Sequence, residues 1–400
     1  MKFFKNSLLI ITVLILSSIS LIAQDKSQSS ESHFLKSRQF SSIHWGGRIQ
    51  LDMMFMQQND SLDAHFTSAN GIEIRRARFY TSGKVHNISF KLQIDFAHNA
   101  LIVKDAWLNF SKIPFVGNFK VGNMKEPIGL NTLTSSKYLT FMERPITSDL
   151  DFDRKLGFML HNQHFDKRLS WSAGIFYPSA PNNKYLGNAY HLTFRLSGLP
   201  IYNVEYGEYQ VLHLGASFSN QYLYNSTLLF ASRPESHLAP KYITINTNNI
   251  KSLNSVNFEA ALILRSLSFQ GEYHMFKFQP SDTIQLKNTD YSSSSFYGTI
   301  SWFITGEDRN YSKSKSCFGI ITPRRSFGED GWGAFEIAVR YSHSNFNDDD
   351  LNGGELNNIN IGLNWYLNYR LKVAFNYIHS DVPEYQGIAN LVQMRFQVAI

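Results

Sequence analysis

The sequence predicts an all-β protein, a transmembrane antiparallel β-barrel of about 16 strands with long external loops. The chain begins with a segment that is typical of export, residues 1–23. After it, no apolar run reaches the roughly 18–20 residues that a membrane-spanning helix needs. Apolar and polar residues then alternate with period two from residue 43 to Ile400. Since a closed barrel is the other structure that leaves no backbone group unpaired in a bilayer, these observations together favour a barrel.

The first 23 residues are typical of a secretory signal peptide. Lys2 and Lys5 form a basic start, residues 8–16 form an apolar core interrupted by Thr12, and small residues follow up to Ala23. The core is too short for a spanning helix, so we expect cleavage after Ala23 and not a membrane anchor, which is the alternative. Residues 24–42 are polar and Ser-rich, and we expect a flexible periplasmic leader before the barrel of residues 43–400.

The alternation divides the remaining chain into sixteen predicted strands. An even number is what single-chain bacterial barrels require, and sixteen strands leave an aqueous lumen. A possible further strand at 222–233 is left within a loop. The predicted strands lie near 43–56, 71–81, 85–97, 101–111, 115–122, 155–163, 169–177, 187–197, 209–219, 253–265, 266–278, 291–305, 332–343, 356–367, 369–380 and 389–399.

A soluble β-sandwich would show similar alternation and is the alternative fold. Two features favour the barrel. The alternation continues to the last residue, and the polar face carries charged groups along many strands. Export of an aromatic-rich chain of this kind places it in the outer membrane of a Gram-negative bacterium.

Composition argues against several other classes of function. The formal net charge of +6 is small, and no dense Lys/Arg tract suggests nucleic-acid binding. Cys317 is the only cysteine, so neither an intrachain disulfide nor a cysteine-based zinc site is expected. The thirteen histidines lack paired metal-ligand spacing. We therefore predict no metal, no cofactor and no enzyme activity, with a barrel hydrolase or protease as the alternative from another class.

Three arginines lie in one predicted strand, at Arg75, Arg76 and Arg78. An arginine on the lipid face near the middle of the bilayer costs about 2–4 kcal/mol, so these side chains need to face the lumen. Strict alternation places only part of the cluster inside, but a β-bulge near Arg75 and Arg76 lets both face the pore. We predict that the three arginines bind anions, with pairing to Glu73 or another wall carboxylate as the alternative.

Two gaps between predicted strands, 123–154 and 220–252, are longer than ordinary loops. An inward-folded loop at 123–154 would form a constriction, and its Lys and Ser side chains would replace part of the hydration shell of an anion. The alternative is a solvated loop in which Lys125 and Arg144 pair with Glu126 and Glu143. The candidate donors in this loop are Lys125, Ser135, Ser136, Lys137 and Arg144.

Charged residues on other strands occupy the alternate positions that face the lumen, and we predict that they line the pore wall as a secondary set of charges. They are Arg48, Lys91, Lys120 and Asp95, with Asp52 and Asp105 of the same parity. A wall that carries both signs of charge indicates mild selectivity and not a deep anion trap, because a permeating ion must also leave.

Several segments resemble a known family, the phosphate-selective porin O and P family. They include GGRIQLD at 46–52, GIEIRRARF at 71–79, KLQIDFA at 91–97, the stretch 122–145 and the terminal MRFQVA at 394–399. The resemblance implies a homotrimeric sixteen-stranded outer-membrane channel. It also implies lumen Arg and Lys residues that attract phosphate or polyphosphate, and an inward-folded third external loop at 123–154.

The sequence departs from this family in two ways. Arg195, Arg265 and Arg340 are isolated where characterised members carry a row of arginines, and Ile400 replaces a terminal Phe. The expected function is passive diffusion of small anions, phosphate or related oxyanions among them. A general or differently selective channel is the alternative. The expected partners are small anions, outer-membrane lipid, the barrel-assembly machinery and two further copies of the chain.

Overall fold

The structure is a computed structural model that describes most of the chain after residue 41. The predicted signal peptide and nearly all of the predicted leader lie outside the described residues. The described ranges are 42–148, 153–177, 189–205, 208–223, 227–247, 250–280, 290–329, 331–348 and 351–400.

Twenty strands account for most of this part of the chain, and the helical segments are short. The helices are Asp60–Asp63 and Leu130–Leu133, and the 3-10 turns are Ala97–Asn99, Ile146–Ser148 and Pro383–Tyr385. No helix in the described ranges is long and apolar enough to cross a membrane. The strands are β1 (Ser42–Gln58), β2 (Gly71–Val85), β3 (Ile88–Asp95), β4 (Ile102–Ile113), β5 (Gly117–Lys125), β6 (Arg154–His164), β7 (Leu169–Tyr177), β8 (Tyr190–Glu205), β9 (Glu208–Tyr222), β10 (Leu228–Ser232), β11 (Ile243–Thr247), β12 (Ile250–Leu264), β13 (Leu267–Pro280), β14 (Tyr291–Phe303), β15 (Tyr311–Ser312), β16 (Cys317–Phe318), β17 (Ala334–Asp348), β18 (Leu351–Tyr366), β19 (Leu371–Val382) and β20 (Gly387–Ala399).

Sixteen of these strands close into one antiparallel barrel, and the other four form two small two-stranded sheets, β10–β11 and β15–β16. β1 pairs with β20, with Arg48 opposite Ala399, which closes the barrel and removes its free edges. Each of the sixteen predicted strands corresponds to one barrel strand, so the predicted fold class and strand count are confirmed.

The end of β8 is the largest error in the predicted boundaries. The prediction ended this strand at residue 197, before Pro200, whereas β8 continues to Glu205. The ladder between β8 and β9 has an irregularity between Gly198 and Ile201, which accommodates Pro200 without breaking the strand. The strand therefore continues through a proline because the bulge removes the need for a backbone donor there.

Alternation along each strand separates an apolar outer face from a polar inner face. On β1, Trp45, Ile49 and Phe55 are exposed, whereas Arg48 and Asp52 are buried. Outward apolar side chains match the hydrocarbon of a bilayer, and inward polar side chains match a lumen. The charged residues of the wall are therefore concentrated inside the barrel.

The interior is not an open aqueous lumen throughout, which differs from the expectation for sixteen strands. The β10–β11 hairpin lies in the connection between β9 and β12, so the segment at 222–233 contains a strand of a loop and not of the barrel. Phe230 of β10 packs against Phe346 of β17, with ring centroids 4.7 Å apart, and Phe276 of β13 also packs on Phe346. This apolar cluster fills part of the barrel.

The lengths of the connections indicate which end of the barrel faces the periplasm. Connections at the end that carries Ile400 are mostly short, such as 86–87, 114–116 and 367–370. Bacterial barrels have short periplasmic turns and longer external loops, so this end is periplasmic. One long connection, 304–333, also lies at this end; the predicted strands 291–305 and 332–343 left this gap between them, but we assigned no role to it from the sequence.

Candidate functional site

A β-bulge in β2 decides where the arginine cluster points. Gln50 of β1 pairs with Arg76, whereas the next residue, Leu51, pairs with Ile74, so Arg75 is an extra residue in the ladder. The predicted bulge is therefore present. On its far side Ile72 and Ile74 are 61% and 53% exposed on the outer face. The bulge lets one strand present adjacent arginines to the lumen while its isoleucines face lipid.

The three arginines bind carboxylates in this structure. Arg75 makes a bidentate pair with Glu143, with Nε–Oε1 at 2.9 Å and Nη2–Oε2 at 3.1 Å. Arg76 donates to the same carboxylate at 3.2 Å and to the Gln50 side chain at 2.9 Å. Arg78 pairs with Asp95 at 2.5 Å. Pairing with a carboxylate was the alternative for this cluster, and for two of the arginines the carboxylate comes from a loop.

Residues 126–148, which we call the lumen loop, lie inside the barrel. Side chains of the wall and of the 304–333 connection donate hydrogen bonds to seven of its backbone carbonyls. The pairs are Gln50 to Ser136 (3.2 Å), Gln397 to Lys137 (3.1 Å), Arg309 to Tyr138 (2.9 Å), Lys372 to Leu139 (2.8 Å), Asn364 to Thr140 (2.8 Å), Arg395 to Met142, and Arg340 to Glu143 (3.3 Å).

Glu143 is the last of these seven residues, and its side chain also binds the barrel wall. Besides Arg75 and Arg76, Arg395 donates to it at 2.7 Å and also pairs with Asp52 at 2.6 Å. Burial by itself raises the pKa of the Glu143 carboxyl, but the three guanidinium groups outweigh burial and hold its pKa well below the usual range. Glu143 is therefore ionised and ties the lumen loop to β2 and β20.

Lys125 and Arg144 organise the lumen loop and do not pair with the carboxylates that the sequence suggested. The Lys125 ammonium donates to the carbonyls of Leu133 and Thr134, both at 3.1 Å. Arg144 donates to the carbonyl of Thr134 at 2.9 Å and to the Asn131 side chain at 3.0 Å. Both cations thus cap the end of the Leu130–Leu133 helix, where unpaired carbonyls favour positive charge.

Arg48 and Lys137 differ from these cations, because neither has a carboxylate partner among the described residues. Arg48 donates to the Ser135 hydroxyl at 3.0 Å, and its Nε is buried without a partner. The Lys137 ammonium lies 5.8 Å from the ring centroid of Tyr80. Burial and the nearby cations, Arg48 first among them, lower the pKa of Lys137 to about 8.

Two further predicted wall cations lie beside aromatic rings. The Lys91 ammonium lies 5.4 Å from the Tyr80 centroid and pairs with Asp105 at 2.6 Å. The Lys120 ammonium lies 4.5 Å from the Trp107 centroid. Tyr80 thus has one ammonium from the wall and one from the lumen loop within 6 Å of its ring.

The buried hydroxyl of Ser136 has no partner in the described chain.

A cavity of about 1190 Å³ runs beside the lumen loop, and its lining is strongly basic. Among the described residues it carries fifteen Arg or Lys and four Asp or Glu. Every predicted site residue lines it except Asp95, the partner of Arg78, and Asp52, the partner of Arg395. The basic lining residues are Arg48, Arg75, Arg76, Arg78, Lys91, Lys104, Lys120, Lys125, Lys137, Arg144, Arg154, Lys167, Arg195, Arg233 and Lys315.

Sequence reasoning missed the residues that hold the lumen loop. Arg395 and Lys372 have lumen parity in the last two strands, and that signal was available. Nothing in the sequence, however, pointed to loop carbonyls as their acceptors. Arg309 lies in the 304–333 connection, where no site residue was predicted from the sequence.

Comparison with known proteins agrees with the barrel and its basic cavity. The family model described as phosphate-selective porin O and P matches residues 43–400. The chain belongs to this family. It is therefore a porin, a channel of the Gram-negative outer membrane by family and fold.

Two relatives by sequence cover most of this porin. Porin O of Pseudomonas aeruginosa is 22% identical over 383 residues, which span 86% of this chain and 84% of that protein. An uncharacterised protein of Caulobacter vibrioides is 25% identical over 355 residues, 86% of this chain and 69% of that one.

Two solved structures resemble its fold. The anion-selective porin from Comamonas acidovorans has a TM-score of 0.58 at 11% identity, with coverage of 90% of this chain and 99% of that one. The trimer form of OmpT from Vibrio cholerae has a TM-score of 0.55 at 8% identity, covering 90% and 99%. At these identities the likeness concerns the fold alone.

Proposed function

We propose that this porin passes small anions by diffusion and prefers phosphate or related oxyanions. The observation that carries the proposal is the lining of the cavity, with fifteen cationic residues against four carboxylates. A water-filled path with that excess of positive charge concentrates anions and excludes cations.

The binding step is assigned to Arg48, Ser135 and Lys137. Arg48 and Lys137 lack carboxylate partners in the described ranges, and Ser135 already accepts from Arg48. An oxyanion at this position takes hydrogen bonds from the guanidinium fork, the ammonium and the loop hydroxyls in exchange for its hydration shell. Ser136 has a buried hydroxyl without a partner that adds one more donor.

The release step needs competing charges, because an anion bound too tightly does not permeate. Asp105 pairs with Lys91 at 2.6 Å and with Arg154 at 2.8 Å, next to the path. Lys120 is the next cation along the wall and has no carboxylate partner among the residues described. We propose that this wall, which carries both signs of charge, offers the anion a series of weak binding sites beyond Arg48.

The lumen loop is proposed as the constriction. Its backbone carbonyls are turned to the wall and satisfied there, so the side-chain groups of Ser135–Lys137 that line the cavity are mainly donors. Arg75, Arg76 and Arg78 contribute through the field and through their hold on Glu143 and Asp95. We further propose a homotrimer in outer-membrane lipid, assembled by the barrel-assembly machinery despite the terminal Ile400.

Planar-bilayer recordings of the purified porin test the proposal. In a chloride salt gradient we expect a reversal potential that favours the anion, and millimolar phosphate is expected to reduce the chloride current. Arg48→Gln combined with Lys137→Gln should lower both effects, whereas the exposed Arg370→Gln should not. A reversal potential that favours the cation would overturn the proposal.

A general anion channel without phosphate preference is the second candidate. It is favoured by the pairing of Arg75, Arg76 and Arg78 with carboxylates, since their forks are already occupied. This candidate predicts anion selectivity without block of chloride current by phosphate, so the same recordings separate the two.

A further inference from the structure

Three potential metal ligands meet at the external side of the lumen, outside the anion site. Glu73 comes from β2, His98 from the 96–101 connection and His237 from the connection between β9 and β12. His237 Nδ1 lies 2.9 Å from both carboxylate oxygens of Glu73, and His98 Nε2 lies 3.7 Å from one of them. The three ligand atoms lie within 4.8 Å of one another.

We propose that Glu73, His98 and His237 bind a divalent transition-metal ion of the zinc class. Two imidazole nitrogens and one carboxylate oxygen form a three-residue set that zinc accepts, with water as the fourth ligand. Two nitrogen ligands argue against Ca²⁺ and Mg²⁺, which prefer oxygen.

Small movements complete the geometry. Ligand atoms of a tetrahedral zinc ion lie about 3.3 Å apart, given metal–ligand bonds of about 2.0–2.1 Å. The Glu73–His237 distance of 2.9 Å is slightly shorter than this spacing and the Glu73–His98 distance of 3.7 Å is slightly longer, so small rotations of the two imidazoles bring the ligand atoms to it. The side chain of His98 is 43% exposed and lies on an external connection, so it has room to move.

A bound ion would join three elements that are distant in sequence. His237 follows Glu235 by two residues, and Glu235 accepts a hydrogen bond from the backbone of Ile146 at 3.0 Å and pairs with Arg340. The ion therefore braces the connection that supports the lumen loop. His237 also lines the basic cavity, so the ion adds positive charge beside the anion path.

Without metal, the same residues form an ordinary polar cluster in which Glu73 accepts a hydrogen bond from His237 and lies beside His98. A metal site and a hydrogen-bonded cluster are distinguished by their affinity for zinc. A cluster that exists for hydrogen bonding alone has no reason to bind one zinc ion per chain, nor to lose zinc when any one of three residues changes.

Isothermal titration of zinc chloride into the tag-free, folded porin in detergent tests the proposal. We expect one zinc ion per chain, and a loss of affinity of at least about tenfold in Glu73→Gln, in His98→Ala and in His237→Ala. The control is His44→Ala, which removes an exposed histidine at the opposite end of the barrel. X-ray absorption of the zinc complex should report a nitrogen and oxygen shell with two imidazoles.

His98→Ala keeps the test decisive if the other two variants fail to fold, because its exposed side chain lies on a connection and not in a barrel strand. The proposal is overturned if the wild-type porin binds no zinc, or if zinc binds equally to the wild type and to folded His98→Ala. Failure here leaves the anion proposal untouched, since the recordings above are made without zinc.

Discussion

Arg75 and Glu143 form a bidentate ion pair between a bulge in the barrel wall and the loop inside the barrel, at 2.9 and 3.1 Å. The pair explains why an arginine-rich strand lies in a membrane barrel. The bulge in β2 turns Arg75 inward, and the Arg75 guanidinium holds the lumen loop through the Glu143 carboxylate. The arginines of β2 thus anchor the loop, and we propose that Arg48 and Lys137, which have no carboxylate partner among the described residues, bind the permeating anion.

Replacing Glu143 by Gln should loosen the lumen loop and strengthen anion selectivity. The variant leaves Arg75, Arg76 and Arg395 without their shared carboxylate, and breaking a buried ion pair costs about 3–5 kcal/mol. We expect faster proteolysis within 126–148 and a reversal potential shifted further toward the anion. The exposed Glu329→Gln should change neither, and an unaltered cleavage rate in Glu143→Gln would contradict the anchoring role.

Lys372→Met should increase the fluctuations of the single-channel conductance while keeping the barrel intact. The Lys372 ammonium donates to the carbonyl of Leu139 at 2.8 Å, and an unsatisfied buried carbonyl costs about 1–3 kcal/mol. Methionine keeps the apolar stem but supplies no donor. Single-channel recordings should show more open-channel noise than in Lys277→Met, whose ammonium lies at the exposed surface. Equal noise in the two variants would mean that Lys372 does not hold the loop.

Anion selectivity should fall as the pH rises through about 8. Burial, with Arg48 and other cations nearby, lowers the pKa of Lys137 to about 8. The side chain is therefore charged below that pH and neutral above it, whereas an ordinary lysine stays charged to about pH 10. Reversal potentials measured from pH 6 to 9.5 should show the loss in the wild type and a smaller loss in Lys137→Gln, because other lysines also line the cavity. A wild-type profile no steeper than that of the variant would refute the assignment.

Deletion of Arg75 should be tolerated better than deletion of Ala77. Arg75 is the extra residue of the bulge, so its removal leaves Arg76 opposite Gln50 and Ile74 opposite Leu51 in a regular ladder. Removal of Ala77, which lies in regular pairing, reverses the faces of one half of β2 and turns charges to lipid. Heat-modifiable mobility in gels reports the folded barrel, and equal folding of the two deletions would contradict the register.

The fold was largely predictable because strand alternation is a local property of the sequence. A bilayer on one side and a lumen on the other leave period two in each strand, and even the bulge at Arg75 followed from the cost of arginine in lipid. β8 was cut short because Pro200 lies at a bulge, and no local signal separates a bulge from a strand end.

The partners of the charged residues were less predictable, because they depend on how loops fold into the barrel. Lys125 and Arg144 proved to cap a short helix, and Arg395 and Lys372 bind loop carbonyls. The histidines at 98 and 237 are 139 positions apart, yet their ring centroids lie 5.2 Å apart beside Glu73. Such contacts are set by tertiary packing and leave no spacing to read.

Phosphate block of chloride current in Arg48→Lys tests whether Arg48 binds an oxyanion beside Ser135. Lysine keeps the charge but loses the planar fork that donates two parallel hydrogen bonds. We expect the preference for chloride over potassium to be kept, while the phosphate concentration for half-block rises about tenfold or more, ~1.4 kcal/mol of lost binding. Unchanged block in Arg48→Lys, or no block in the wild type, would contradict binding of the oxyanion by Arg48.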